Sequence, residues 1–288
     1  MRTLMTTEAR APSPRSGDLP VYDSARAGVP FFSEARALWE YRHLVRELIS
    51  RDVKVRYKRS ALGVAWTMLN PLLNMVALTL VFSVILRQGI ERFPVYFLAG
   101  ILFWNFFSQS TGHAASLSMD AAETTRRVYV PRSVFVVAAV GVGLVNLVLS
   151  LVPLVLIVAL TGHPFHATWL FLPVAVVLGA MFCTGVGLVV FTLASRFADV
   201  RDTYTTLLTP WFFLTPIVYE PSLVPENWRW LVRFNPMTYL VDVFRAPIYH
   251  GWLPGRNTLV FAVVVALASL AAGWAFYAWR IEEYGRGA

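Results

Sequence analysis

Residues 134–160 read VFVVAAVGVGLVNLVLSLVPLVLIVAL and contain no charged side chain. A helix needs about 20 such residues to cross the roughly 30 Å hydrocarbon core of a bilayer. In the whole chain of 288 residues, 57% are hydrophobic and 15% are charged, whereas soluble domains contain about 25% charged residues. The composition therefore indicates an integral membrane protein. It argues against a soluble enzyme, a disordered chain and, since Cys183 is the single cysteine, a disulfide scaffold.

Five other apolar runs accompany this one, and together they predict an all-α integral membrane protein with six transmembrane helices. The predicted spans are 62–86, 95–117, 134–160, 169–194, 203–219 and 259–279. The fifth span is the shortest, and the second is the most polar. Residues 1–33 are polar and interrupted by prolines, which predicts a disordered tail ahead of a membrane domain at 61–288.

The distribution of cations predicts the orientation of these spans. If both termini are cytoplasmic, 19 of the 25 Lys and Arg residues lie inside and six lie outside. Positively charged loops stay in the cytoplasm. We therefore predict that both termini are cytoplasmic.

The segment before the first span, residues 34–60, has the period of an amphipathic helix. Leu44 and Leu48 lie on one side of the helical wheel, and Glu47 and Arg51 lie on the other. Residues 51–59 are also rich in Lys and Arg. This pattern predicts a helix in the cytoplasmic interface with its apolar face in lipid and its basic face toward head groups or a protein. The helix is either an anchor or an element that docks a partner and moves the first span.

A polar stripe runs along the second span. Asn105, Ser108, Gln109 and Gly112 repeat at helical spacing, so they share one face. Polar groups are costly in hydrocarbon, so this face is expected to contact protein or water. It either forms hydrogen bonds between helices or lines a polar channel. The aromatic residues expected beside it are Trp66, Trp104, Phe107 and Phe212.

Residues 220–256 contain many aromatic side chains, but charges and prolines interrupt them too often for a span. They are predicted to form short amphipathic helices at the outer face, or alternatively a surface loop with aromatic anchors.

The chain lacks the sequence patterns of the common energy-coupling and catalytic sites. Its two lysines, Lys54 and Lys58, do not follow a glycine, so the sequence contains no P-loop with which to hydrolyse ATP. The acidic residues predicted to lie outside are scattered, which argues against a membrane-embedded enzyme. His163 and His166 have no Cys or acid nearby, so we predict no metal site.

Residues 51–66 carry a family resemblance. The pattern Arg-Asp-x-Lys-x-Arg-Tyr-x-x-Ser-x-Leu-Gly-x-x-Trp, followed by Asn70-Pro71, resembles the opening of the permease subunits of type-2 ABC exporters. The similar group exports O-antigen, capsule and teichoic acid. Later positions that also resemble this family are Phe93, Tyr96, Gly100, Trp104, Tyr129-Val130-Pro131-Arg132, Thr215 to Tyr219, Asn235-Pro236-Met237 and Arg245. Val130 departs from the family pattern, which has Phe.

The resemblance implies a permease in the bacterial inner membrane that moves a lipid-linked polysaccharide, such as the lipopolysaccharide O-antigen, or a polyol-phosphate polymer to the outer face. The partners it implies are a second copy of the chain and two ATPase subunits, which bind ATP and Mg²⁺. No cofactor is expected in this chain, and no nucleic acid partner. The alternative is a type-2 permease for a small molecule such as a drug or a lipid.

The resemblance and the residue pattern together predict three sets of site residues, and none is predicted to be catalytic. The set that contacts the ATPase is Arg51, Asp52, Lys54, Arg56, Tyr57, Glu123, Arg126 and Arg127. The set that lines the channel is Trp66, Trp104, Asn105, Phe107, Ser108, Gln109, Gly112 and Phe212. The external gate is predicted at Tyr219, Asn235, Pro236, Tyr239 and Arg245, within helices that the family folds back into the membrane.

Overall fold

The computed structural model describes residues 38–58, 63, 65–85, 90–125 and 130–285, which are helical throughout except for turns and short loops. The predicted tail at 1–33 lies outside these residues. The helices are α1 (Arg42–Tyr57), α2 (Ala65–Thr79), α3 (Phe93–Thr125), α4 (Ser133–Leu160), α5 (Leu172–Ala194), α6 (Asp199–Leu214), α7 (Arg229–Phe234), α8 (Pro236–Arg245) and α9 (Arg256–Gly285). A π-helical segment, Leu80–Ile85, extends α2.

Four helical segments among the described residues are long and apolar enough to cross a membrane: Ala65–Phe82, Ser133–Leu160, Ala167–Ala194 and Arg256–Arg280. They coincide with the first, third, fourth and sixth predicted spans. The all-α membrane fold is thus confirmed at this level. That α3 and α6 also cross the membrane stays a prediction.

Helix α6 differs from the predicted span at 203–219. It begins at Asp199 and ends at Leu214, and Thr215 is extended with φ −94° and ψ 129°. The prediction that residues 215–219 are helical is wrong, because Pro216 follows and its ring disfavours the helical conformation of the residue before it.

Helix α1 falls within the predicted amphipathic segment, but its apolar face contacts protein. Leu48 is buried in a cluster with Leu117 of α3 and Val134 of α4. Ile49 lies against Gly141, where a Cβ atom would overlap its side chain. The prediction that this face contacts lipid is therefore wrong, because a glycine in α4 lets α1 dock closely on the bundle.

The core of the bundle is centred on α3. Phe103, Phe106 and Phe107 of this helix are almost completely buried. Helix α5 packs on α9 on one side and on α3 on the other. At the crossing of α5 and α9, a Cβ atom on Gly185 would overlap Ser269, and one on Gly273 would overlap the carbonyl group of Gly185. The small residues of these apolar helices thus set the distance between them.

The stretch at 220–256 forms short helices, as the sequence predicts. They are Pro221–Leu223, Glu226–Trp228, α7, α8 and the π-helical turn Ala246–His250. Pro236 is the first residue of α8, where its fixed φ suits the helix and its missing N–H costs no hydrogen bond. That these helices re-enter the membrane stays a prediction.

Candidate functional site

The polar stripe of α3 is the open face of an otherwise buried helix. Every residue from Val95 to Trp104 is buried. Between Asn105 and Ser118, the half-exposed positions are Asn105, Ser108, Gln109, Gly112, His113 and Ser116. The helical spacing in the sequence thus identifies the face of α3 that the chain does not cover with its own side chains.

This stripe forms one wall of a cleft of about 310 Å³ between the end of α1 and helices α2, α3 and α4. The polar and aromatic side chains that line the cleft are Arg56, Trp66, Thr67, Asn70, Asn74, Asn105, Phe106, Gln109, Asn146 and Ser150. The volume is at the lower end of the roughly 300–1,000 Å³ that small-ligand pockets occupy. An amide-rich cleft inside an apolar bundle is the most unusual feature of this fold.

Gln109 connects three helices within the cleft. Its Oε1 accepts a hydrogen bond of 3.0 Å from Nδ2 of Asn146, and Nη1 of Arg56 donates to the same oxygen at 3.5 Å. On α2, Nδ2 of Asn74 donates to Oδ1 of Asn70 at 2.9 Å. Each primary amide offers both donors and acceptors. The cleft can therefore bind a hydroxyl-rich ligand, whose groups are also donors and acceptors.

A second, shallower groove lies on the other side of the stripe, facing α6. Its volume is about 430 Å³, and Gln109 lines it as well as the cleft. The predicted channel residues Trp104, Ser108 and Phe212 lie here. Only one edge of Trp104 reaches the groove, because the residue is 5% exposed. The stripe thus separates two adjoining grooves.

Phe107 lies in neither groove. Its side chain is fully buried, with ring centroids 5.1 Å from Trp211 and 5.5 Å from Phe182. The prediction that Phe107 lines the channel is corrected accordingly: its helical position turns it into the bundle, where it packs behind the groove wall. Trp66, by contrast, is 53% exposed at the rim of the cleft.

The residues predicted to couple to an ATPase connect α1 to the stripe. Nε2 of His113 lies 3.0 Å from Oδ2 of Asp52, and Nε of Arg51 donates to Oδ1 of the same carboxylate at 3.0 Å. Lys54 and Arg56 are exposed. The side chains of Tyr57 and Glu123 and the residues Arg126 and Arg127 lie outside the described parts of the chain, so their predicted contact with an ATPase stays a prediction.

The predicted gate residues hold the segment 215–219, which turns after the end of α6. Asn235 caps α8 by accepting a 3.0 Å bond from the backbone N–H of Met237, and its Oδ1 also accepts from Nε1 of Trp211 at 2.9 Å. Its Nδ2 donates to Oγ1 of Thr215 at 2.9 Å. One side chain thus joins the end of α6 to the start of α8.

Arg245 holds the same segment from the other end of α8. It is 3% exposed, its Nη1 donates to the carbonyl of Pro216 at 2.8 Å, and its guanidinium carbon lies 4.0 Å from the ring centroid of Tyr96. Tyr96 in turn donates to the carbonyl of Tyr219 at 2.9 Å. Tyr239 lies apart from this contact, donating to the carbonyl of Arg233 at 2.9 Å.

His163 and His166 lie in an aromatic cluster and not in a group of metal ligands. Among the described residues, no three His, Cys, Asp or Glu side chains converge. Nη1 of Arg92 lies 3.1 Å from Nδ1 of His163, and Nε2 of His163 lies 3.1 Å from the carbonyl oxygen of Ile248. Burial, and secondarily the charge of Arg92, lower the pKa of His163. The ring is therefore neutral at pH 7, with its proton on Nε2.

Five polar residues of the cleft belong to none of the predicted site sets: Thr67, Asn70, Asn74, Asn146 and Ser150. In the sequence, Asn146 and Asn74 are isolated polar residues in apolar runs. Such residues face the bundle interior or a polar cavity. This rule could have selected both, but only the fold shows that they face the stripe of α3.

Comparison with known proteins gives the chain a family. The ABC-2 type transporter family matches residues 43–249. The O-antigen export system permease protein RfbA of Myxococcus xanthus is 34% identical over 253 residues, which is 86% of this chain and 96% of the relative. The polysialic acid transport protein KpsM of Escherichia coli is 24% identical over 242 residues, covering 83% and 93%. The inner membrane transport permease YadH of Escherichia coli K12 is 24% identical over 233 residues, covering 77% and 89%.

The family match includes the docked helix α1, the polar stripe, the cleft and the segment around Asn235 and Arg245. The predicted resemblance is thereby confirmed, and this chain belongs to the ABC-2 type transporter family of membrane permeases.

Proposed function

We propose that this chain is the membrane permease subunit of an ATP-driven exporter, and that it moves a lipid-linked polysaccharide to the outer face of the bacterial inner membrane. The observation that carries this proposal is the amide-rich cleft beside the stripe of α3. The relatives named for O-antigen export and polysialic acid transport support the same cargo class.

The proposed path lies between two copies of the chain. Helix α2 borders the cleft, and within Ala65–Phe82 only 11% of the residues are buried. Its outward side chains include Leu73 and Val76, which are more than half exposed. Helix α6, which borders the second groove, has no buried residue. A second copy packed against these helices would cover apolar surface and shield the polar cleft from lipid, where unsatisfied polar groups are costly.

The energy source is a separate ATPase, since the chain has no P-loop. We propose that two ATPase subunits bind ATP and Mg²⁺ and push on α1 from the cytoplasm. Leu48 and Ile49 fix α1 to the bundle, and the Asp52–His113 contact joins it to α3. A displacement of α1 would therefore move the stripe that lines both grooves.

A small-molecule cargo is the second candidate, and one observation favours it. A mainly apolar cavity of about 390 Å³ lies between α2 and α6, lined by side chains such as Leu78, Phe82 and Phe97. A lipid or an apolar drug would fit this lining better than a glycan. The relative YadH is named only as a transport permease.

Genetics and purification test the exporter directly. We expect the tagged chain to copurify with an ATPase encoded beside it, and we expect its deletion to remove a surface polysaccharide. The proposal would be refuted if the tagged chain copurified with no ATPase and the deletion strain kept its surface polysaccharide. ATP-dependent uptake into inverted vesicles then separates the two cargo classes. Only a polysaccharide exporter would carry radiolabelled glycan into the vesicle lumen.

One variant pair links the cargo to the cleft. Asn74→Leu removes an exposed amide from the cleft wall, and we expect it to reduce surface polysaccharide while the protein level stays unchanged. Asn257→Leu makes the same exchange at an exposed position at the start of α9, outside the cleft, and should export normally. Equal export by the two variants would contradict a role for the cleft.

A further inference from the structure

A separate cavity of about 370 Å³ lies on the side of the chain that carries the 220–256 stretch. The residues of its wall that concern us are Tyr96, Glu220, Thr238, Asp242, Arg245 and His250. They come from the start of α3, the turn after α6, α8 and the turn before α9. None of them belongs to the cleft or to the second groove.

Two polar groups in this wall lack a protein partner. Nε of Arg245 and Oγ1 of Thr238 are buried, and neither forms a hydrogen bond with any residue that the structure describes. The side chain of Arg245 is only 3% exposed. Among the residues that the structure describes, no carboxylate oxygen lies within 4 Å of its guanidinium nitrogens. Native proteins leave few buried polar groups unpaired, since each costs about 1–3 kcal/mol.

The remaining groups in the wall restrict the ligand chemistry. Glu220 and Asp242 bring two carboxylates that accept hydrogen bonds, while Arg245 and Thr238 can donate them. One cation beside two carboxylates disfavours an anionic ligand such as a phosphate or a uronic acid. Tyr96 and Tyr239 add aromatic surface to the same cavity. Donors, acceptors and aromatic rings in one pocket suit a neutral polyol with apolar C–H faces.

We infer that this outer cavity is a binding site for one neutral sugar residue, with Thr238 and Arg245 as hydrogen-bond donors and Glu220 and Asp242 as acceptors. The identification of the sugar as part of the exported polymer rests on the proposed function. In that setting the cavity holds the leading sugars as they leave, beside the segment 215–219 that Asn235 and Arg245 fix.

Binding can be measured without transport. We would place the full-length chain in lipid nanodiscs, which avoids maltoside detergents and their sugar head groups. Saturation-transfer NMR then measures binding of methyl α-glucopyranoside, methyl α-mannopyranoside and, as the anionic probe, methyl glucuronoside. We expect at least one neutral glycoside to bind and the glucuronoside to bind more weakly.

Variants assign the binding to this cavity. Thr238→Val keeps the shape of the side chain and removes its hydroxyl, and should weaken binding roughly 5- to 30-fold, since a lost hydrogen bond costs about 1–2 kcal/mol. Glu220 lies at a half-exposed position, so we expect Glu220→Gln to fold normally. This variant should weaken binding as well. Thr203→Val, an exposed residue of α6, is the matched control.

Three results would overturn the inference: no neutral glycoside binds, the glucuronoside binds most tightly, or Thr238→Val and Glu220→Gln both retain the affinity of the unaltered chain. The measurement needs neither an ATPase nor export. Its failure therefore leaves the exporter proposal intact, and normal surface polysaccharide in the deletion strain would refute the exporter without affecting this site.

Discussion

Helices α5 and α2 represent two different kinds of membrane helix in one chain. In the segment Ala167–Ala194, which contains α5, 13 of the 28 residues are buried, against two of the 18 in Ala65–Phe82 of α2. Helix α5 touches α9 backbone to backbone through glycines, whereas α2 buries only Pro71 and Met75. The first packs as a scaffold, and the second borders the polar cleft with most of its surface still uncovered.

The difference separates stability from transport. A close helix crossing contributes to stability because many atoms are in contact, and it tolerates little change of volume. A loosely packed helix can move or accept a partner at small cost. We therefore expect substitutions in the α5–α9 crossing to unfold the protein and substitutions in the cleft to impair export alone.

Gly273→Ala should have the largest effect on stability. Its Cβ would overlap the carbonyl group of Gly185, and a backbone contact can be relieved only by moving α5 and α9 apart. We expect a loss of roughly 3 kcal/mol, the upper end of typical overpacking costs. Unfolding of the purified chain by a denaturing detergent measures it. Gly112→Ala is the matched control, because nothing lies within 4 Å of its added methyl group; equal losses in both would show that the crossing is not tight.

Asn235→Ala should have the next largest effect on stability. It tests whether the side of the chain that carries the 220–256 stretch belongs to the scaffold. The change removes the cap of α8 and the hydrogen bonds that Asn235 forms with the half-buried Trp211 and the buried Thr215. A lost cap costs about 1 kcal/mol and an unpaired buried group at least as much, so we expect roughly 2 kcal/mol. Asn257→Ala at an exposed position should change the unfolding midpoint little. An unchanged midpoint in Asn235→Ala would mean that the 215–219 segment is held by other contacts.

How far the sequence determines these two regions depends on the range of the interactions. The scaffold helices were predictable because long charge-free runs allow little but a spanning helix. The contact between Gly273 and Gly185 was not predictable, because spacing along one helix does not identify the helix that packs on it. The stripe on α3 followed from its period, since all its residues lie on one helix.

The errors occurred where tertiary contacts outweigh local pattern. The apolar face of α1 has the same period whether it contacts lipid or protein, so Leu48 could not be assigned to the bundle from the sequence. Phe107 follows Phe106 in a run of aromatics, and only the packing of α3 against Trp211 shows that it turns inward. The end of α6 at Leu214, by contrast, follows from Pro216 and was a local feature that could have been predicted.

Gln109→Leu tests the cleft. In contrast to the variants of the scaffold, it should impair export and leave stability nearly unchanged. The side chain lies at a half-exposed position and takes part in two hydrogen bonds, from Asn146 and Arg56. We expect the free energy of unfolding to change by less than about 1 kcal/mol, while the export rate falls roughly fivefold to tenfold through loss of one or two hydrogen bonds to cargo. Ser116→Ala, on the same stripe outside both grooves, serves as the control. A variant that loses stability but exports normally would place Gln109 in the scaffold.

A fall in pH should produce the smallest effect on stability. We expect this effect to arise on the side of the scaffold that carries the 220–256 stretch. Burial lowers the pKa of His163, and the Arg92 charge adds to this; burial also lowers the pKa of His250, which faces Arg245 and the opposing charges of Asp242 and Glu220. Because the unfolded chain binds these protons more readily, stability is complete above the ordinary pKa of 6.5 and decreases as the pH falls below it toward the lowered value.

His163→Gln isolates the contribution of one ring. The amide can accept from Arg92 and donate to the carbonyl of Ile248 as neutral His163 does, but it does not titrate. We expect the unfolding midpoint between pH 7 and pH 5 to decrease less in this variant than in the unaltered chain. The exposed His43→Gln should retain the full decrease. If His163→Gln follows the unaltered chain as closely as His43→Gln does, protonation of His163 does not contribute to the decrease, and His250 is left as the titrating ring of this cluster.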